Sequence, residues 1–368
     1  MNIGVIDPDG PTDTAFGELT TDADGHFTLS PSSPTPSADR PIRFIGPGWV
    51  DLHAHIYNAV TPISVDPDRV GLDDGVHLLA DAGSAGAFTL PGLIEYVKPR
   101  AQSQIRSWIN IGSHGLVHLR ETSQASFIDV DATIAAIEGS RDTVCGVKVR
   151  SSGAIVGDMG LQPLQLARLV ARETGLPLMV HIGEAPPLID DVLDLLDAGD
   201  VVTHCFHGKT GTPWQPDGTP ARPLARALDR GVLLDVGHGA ASFSHGVARR
   251  AITAGFTPSS ISTDIHIRNV AGPVYNLATV MTKLLDCGLS VADVIAAVTT
   301  TPRRTIAADT PWRTPEGALL HATVFDVLED APASRQYRDT DDVTADPSQH
   351  IVPVATIIDG VWRDCVRR

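Results

Sequence analysis

Along the chain, apolar strand-like runs trade places with stretches of helical period, and from Trp49 onward the beat repeats eight times. The strand-like runs are Trp49–His55, Val76–Gly83, Gln104–Ser113, Val144–Arg150, Pro177–Gly183, Val201–His207, Val232–His238 and Ser260–His266. Helical stretches fall between them at Leu93–Ala101, Ala132–Glu138, Leu164–Thr174, Leu188–Asp197, Arg222–Asp229 and Phe243–Ala254. Gly175, Gly199, Gly231 and Gly255 stand where a helix must stop before the next strand, a place that favours a left-handed residue. Strands that alternate with helices pair in parallel, and eight such units predict an α/β fold, a (β/α)8 TIM barrel. An open, doubly wound sheet is the rival, but no Gly-x-Gly-x-x-Gly follows the first strand.

Both ends of the chain carry β patterns too short to bury a core alone. Phe16–Thr20 and His26–Leu29 read as strands, and Pro31–Ser37 as a loop. Past the barrel, Pro273–Cys287 and Val291–Thr299 are helical, and a short helix begins at Thr301. The β pattern returns at Ala322–Leu328 and Val352–Ile358, followed by the turn Asp359-Gly360 before Val361-Trp362. Ala331–Ser348 is polar and reads as a surface loop. Residues 1–47 and 311–368 are therefore expected to form a small β-sandwich-like domain beside a barrel of residues 48–310.

Barrel enzymes carry their chemistry at the C-terminal ends of the strands. The first run there presents His53 and His55, and the fourth Lys148 and Arg150. The fifth presents His181, the sixth His204 and the eighth Asp264. Each follows an apolar run, where a charge or imidazole without a partner costs several kcal/mol, on the order of 2–7. A single such histidine reads as a satisfied core residue, whereas six groups meeting at one mouth read as a site. Four imidazoles and a carboxylate suit a pair of divalent ions, Zn2+ by donor type. Lys148 cannot ligate while protonated. It is open to three readings: a Schiff-base amine, a partner for a substrate anion, or an amine that takes up CO2 and bridges two metals as a carbamate. The last is preferred because an aldolase-type lysine leaves four histidines without a task.

The order His53-Ala54-His55, Lys148, His181, His204, Asp264 resembles the binuclear-metal subtype of the amidohydrolase superfamily. The stretches Gly146–Arg150, His181–Pro187, Thr203–Lys209, Gly237–Gly239 and Ser262–His266 resemble its amidohydrolase/deacetylase branch, related to dihydroorotase and N-acyl-D-amino acid deacetylase. The likeness runs from about Gly46 to Thr310 and more faintly to the end. His207 departs from it, since Asn is usual there. The resemblance implies that His53, His55 and Asp264 hold one metal and His181 and His204 the other, with carbamylated Lys148 between them. It implies a metal-bridging hydroxide that attacks an amide or ester carbonyl, with Asp264 as the catalytic group that moves its proton to the leaving atom. A deacetylase-like hydrolase of a small, carboxylate-bearing substrate is the leading expectation. A cyclic-amide hydrolase such as a dihydroorotase is the alternative, weakened because Tyr57 stands where those relatives place Arg. A non-catalytic barrel scaffold is the reading from a different class, and it would be expected to have lost ligands. For substrate contacts, Arg150 suits a carboxylate or a structural ion pair. His238 and His266 lie at strand ends as donors, and Tyr57 is either an oxyanion donor or packing. Residues 208–220 read as a lid or as an ordinary surface loop.

Composition narrows the partners. A net charge of −16 argues against nucleic acid or an anionic membrane and leaves a small molecule. Cys145, Cys205, Cys287 and Cys365 are scattered without a Cys-x-x-Cys, which fits a reducing, cytoplasmic protein. No signal peptide or membrane span is expected, and a homo-oligomer is compatible with the sequence.

Overall fold

A computed structural model describes residues 1–10, 15–32, 43–308, 310–329 and 337–366. The first four strands are β1 (Asn2–Val5), β2 (Ala15–Thr21), β3 (Phe27–Pro31) and β4 (Arg43–Pro47). Seven strands then form the parallel sheet: β5 (Trp49–Ala54), β6 (Val76–Gly86), β7 (Gln104–Asn110), β8 (Val144–Ser151), β9 (Leu178–Ile182), β10 (Val201–Thr203) and β11 (Leu233–Asp235). They pair in sequence order, each with the next. The connecting helices end as their glycines predict. Gly175 adopts φ 67°, and Gly199, Gly231 and Gly255 have φ between 84° and 92°. Asp129 caps the helix Val130–Glu138 through the Ala132 N–H, and Ser290 and Asp293 make a capping box on Val291–Ala297.

The eighth expected strand does not form, and the ladder is not closed. Ser260–His266 makes only single bridges, Ser260 to Asp235 and Ile265 to Ala54. Its backbone still bonds to both edges, at Val236, His238 and Gly239 on one side and His53 and His55 on the other, but two residues interrupt the strand. The Thr263 N–H goes to the Asp51 carboxylate, and Asp264 turns to φ 47°, outside strand geometry. The sheet is thus a curled seven-stranded half-barrel whose two edges Ser260–His266 links. Its inward layer, including Leu52, Leu78, Ala80, Ala82, Trp108, Met179 and Val201, is dry and buried. Three expected strands also end early, because the residues beyond Asn110, Thr203 and Asp235 turn into the loops of the mouth. Leu93–Ala101 shrinks to a short helix and a wide turn over Leu90–Val97.

The last strands are β12 (His321–Glu329), β13 (Tyr337–Arg338), β14 (Thr344–Ala345), β15 (Gln349–Ile358) and β16 (Val361–Asp364). Of these, β12, β15 and β16 join the N-terminal strands in one mixed sheet, in the order β16-β15-β12-β4-β1-β2-β3. It is a single sheet and not a sandwich of two. Ile3, Val5, Leu19, Leu29, Ile45, Val324 and Ile357 supply its buried face. The sheet is tied to the start of the barrel strands through Thr323, whose hydroxyl accepts from the Trp49 N–H and donates to the Gly75 carbonyl. The surface loop expected near residue 340 is instead a two-stranded ribbon, β13 with β14. It reaches the mouth, where the Thr340 N–H and hydroxyl both donate to the Phe243 carbonyl. Residues 33–37 and 331–336 of the two expected loops lie outside the described residues. Among the described residues no helix is long and apolar enough to cross a membrane.

Candidate active site

The expected metal-ligating residues from four strand ends converge. His53 and His55, from β5, bring their Nε2 atoms to 3.3 and 3.0 Å from one oxygen of Asp264. The Lys148 amine, from β8, lies 3.2 Å from His53 Nε2 and 3.3 Å from Met179 Sδ. His181, just before the end of β9, and His204, just past β10, stand edge to face with ring centroids 4.4 Å apart, and His204 is 5.3 Å from His53. Glycines make the room. A Cβ at Gly239 would meet the Asp264 carboxylate at 2.6 Å, and one at Gly83 would meet the Lys148 side chain at 2.8 Å.

Buried polar groups behind the cluster fix the ring orientations. The Thr203 hydroxyl donates to Asp235, so its oxygen accepts from His53 Nδ1–H and leaves His53 Nε2 with a lone pair facing the cluster. Asp235 also accepts from the Ser260 and Ser262 hydroxyls. His204 Nδ1–H donates to the Gly237 carbonyl at 2.5 Å, which leaves His204 Nε2 buried without a partner. His55 Nδ1 meets the Ser84 hydroxyl, and Asp51 accepts from Thr263 and from the His53 N–H.

Burial, with smaller contributions from neighbouring cations, pushes His204 down to about 3 and His181 well below the usual imidazole range. Burial also lowers His55. For His53, burial and the Lys148 amine act downward, but Asp264 and Asp235 outweigh them and raise it. Asp264 resists its own burial through His53 and His55 and stays well below the carboxylate range. Burial brings the Lys148 amine down to about 7, so a large share of it is neutral at neutral pH. Three imidazoles kept neutral by burial, an ionised carboxylate, an orphaned His204 Nε2 and an amine free to react fit the donor set that divalent ions require. His53, His55 and Asp264 offer ligand atoms within 4.8 Å of one another.

The expected substrate contacts fare differently. The Arg150 guanidinium is bound at both Glu121 oxygens, 2.8 and 2.5 Å, and at the Leu119 carbonyl, which makes it a structural ion pair. The Tyr57 hydroxyl donates to the Thr89 carbonyl at 2.8 Å, so it packs and has no proton left for an oxyanion. Both His238 nitrogens are taken, by the Gly239 carbonyl and the Lys283 amine. His266 lies beside the cluster. Its Nδ1 accepts from the Arg268 N–H, so Nε2 carries the proton, and its ring lies 6.4 Å from His55. The 208–220 segment is anchored by buried Trp214, whose indole N–H donates to the Cys205 carbonyl. Asp235, Thr203 and Glu121 were not singled out from the sequence. Asp235 follows an apolar run just as Asp264 does, and that signal marks it.

No family model matches the chain. It is 40% identical over 304 residues to a deacetylase of Agrobacterium fabrum, a match spanning 82% of this chain and 75% of that one. Over 329 residues it is 38% identical to a deacetylase of Brucella anthropi, covering 89% and 82%. A solved structure described as a dihydroorotase superposes with a TM-score of 0.88 at 34% identity, over 99% of this chain and 98% of that one. The chain belongs to the amidohydrolase superfamily. Within it, the chain falls on the deacetylase and dihydroorotase branch, and it is a metal-dependent hydrolase of carbon–nitrogen bonds. A second neighbour in this superfamily, described as an adenine deaminase, has a TM-score of 0.84 at 31% identity, with 98% of each chain covered.

Proposed function

We propose that this amidohydrolase removes an acyl group, in the manner of a deacetylase, from a small carboxylate-bearing substrate. The observation that carries the reading is the approach of His53 and His55 to Asp264, with the Lys148 amine against His53, beside the His181–His204 pair. In it, His53, His55 and Asp264 would hold one divalent ion, zinc by donor chemistry, and His181 and His204 would hold a second. The neutral Lys148 amine would form an N–C bond to CO2 and shed a proton, and the resulting carbamate would offer its oxygens as ligands. When bound, the ions supply a polarised carbonyl and a water of lowered pKa. The protein supplies the rest. Asp264, kept ionised by its two histidines, accepts the water proton and returns it to the leaving nitrogen. His266 Nε2–H donates to the substrate from the far side of His55. In this reading residues 48–310 would be the hydrolase unit, built on the half-barrel, and 1–47 with 311–368 the small β unit.

The similarity to a solved dihydroorotase favours one second reading, hydrolysis of a cyclic amide. Zinc-loaded protein assayed against N-acetyl amino acids, acetylated hydroxy acids and cyclic ureides separates the two. Acetate release from the acyl series is expected. Ring opening of ureides without acetate release would replace the deacetylase reading.

A further inference from the structure

Among the described residues, eleven buried side-chain nitrogen or oxygen atoms lack a hydrogen-bond partner, and four of them lie between His204 and Thr212. His204 Nε2 is accounted for by the metal site. The other three are both ring nitrogens of His207 and the Thr212 hydroxyl oxygen. His207 is fully buried, and its ring carries at least one N–H to give in either protonation state. An imidazole buried with neither nitrogen bonded is unfavourable for the fold, and such groups persist where a ligand uses them.

The position says which ligand. His207 lies one tight turn past His204, its N–H donating to the His204 carbonyl at 3.1 Å. The charges that bear on it are Lys209 and Glu184. Glu184 lies three residues past His181 and accepts from Lys209 at 2.8 Å and from the Ser152 hydroxyl at 2.6 Å. This pair joins the loops after β9 and β10, beside the two histidines of the cluster. Lys209 therefore brings an ammonium next to His207, with N–H groups beyond the one given to Glu184. Arg150, at the end of β8, is committed to Glu121.

We propose that His207 is a specificity-determining residue that donates to the substrate carboxylate, the group outside the bond cleaved, with Lys209 adding the charge that favours an anion. The inference rests on the acyl, carboxylate-bearing reading above, and it assigns that carboxylate a place Arg150 does not fill.

The test compares His207→Phe and His207→Gln with the parent, all metal-loaded. The substrates are the N-acetyl amino acid cleaved fastest and the N-acetyl amine that lacks its carboxylate. His207→Phe is expected to melt at or above the parent temperature, because no native hydrogen bond is lost. Its KM for the acid should rise about tenfold or more with kcat within about threefold, while the amine is unaffected. His207→Gln, which keeps a donor, should recover part of the loss. A fall of many degrees in His207→Phe, or equal effects on acid and amine, or no effect on either, would overturn the proposal. The melting comparison decides the role of the imidazole even if no N-acetyl amino acid is cleaved, which would count against the substrate reading instead.

Discussion

Asp264 and His204 both hold a left-handed backbone, with φ 47° and 69°. For residues with a Cβ this conformation is costly, on the order of 1–3 kcal/mol, and it survives where the surroundings fix it. Here they do. The Asp264 N–H donates to the His53 carbonyl, its own carbonyl accepts from Asn269, and Gly239 leaves space for the carboxylate. The backbone turn aims one carboxylate at two imidazoles instead of continuing a ladder. Asp264→Asn keeps the shape and an oxygen ligand but cannot take a proton. Metal content is expected to be largely retained while turnover falls about a thousandfold, read by elemental analysis and steady-state kinetics on one preparation. Near-parental turnover would remove Asp264 from proton transfer.

At the scale of elements, two buried polar contacts hold the loops that shape the mouth. Arg150 on β8 and fully buried Glu121 join a strand end to the loop after β7. Glu121→Ala would leave a guanidinium without its counter-charge, and a loss of about 3 kcal/mol is expected by denaturant titration. A change within about 0.5 kcal/mol would mean that the guanidinium is held by something other than this pair. The second contact is Lys283, on the helix Leu277–Asp286. Its amine is within hydrogen-bond reach of His238 Nε2 and the carbonyls of Pro273 and Arg338, which pins the ribbon to this helix and to the loop after β11. Burial brings this amine down to about 7, against Asp339 and Cys287, which act upward, while an unfolded lysine titrates near about 10.4. Between those values the unfolded chain holds the extra proton, so this group's contribution to stability rises with pH and its penalty is complete below about 7. The stability of the parent relative to Lys283→Met should therefore increase from pH 7 to 10 in urea titrations. A pH-independent difference would contradict this.

Elements also explain what the sequence made legible. An apolar run closed by one polar residue is a local signal, and it located His53, His55, Lys148, His181, His204 and Asp264. Asp235 carries the same signal but sits inside Val232–His238, which reads as one uninterrupted strand ending in a more conspicuous histidine. The bonding of Arg150, Tyr57 and His238 depends on Glu121, Thr89 and Lys283, each 29 to 45 positions away. Local periodicity holds no information about such partners. The missing eighth strand has a similar cause. Its composition is strand-like, but the Asp51 side chain, 212 residues earlier, takes the Thr263 N–H.

At the scale of the molecule, a half-barrel with a dry floor gathers groups that would be unfavourable there singly, and the small sheet braces the start of its strands. The central claim is that these side chains exist to hold two ions bridged through Lys148. The direct test is metal content after expression in zinc-supplemented medium with bicarbonate, in the parent and in Lys148→Ala. About two equivalents are expected in the parent, with loss of metal and activity together in the variant. Fewer than one equivalent in the parent, or an active and metal-replete Lys148→Ala, would contradict the account.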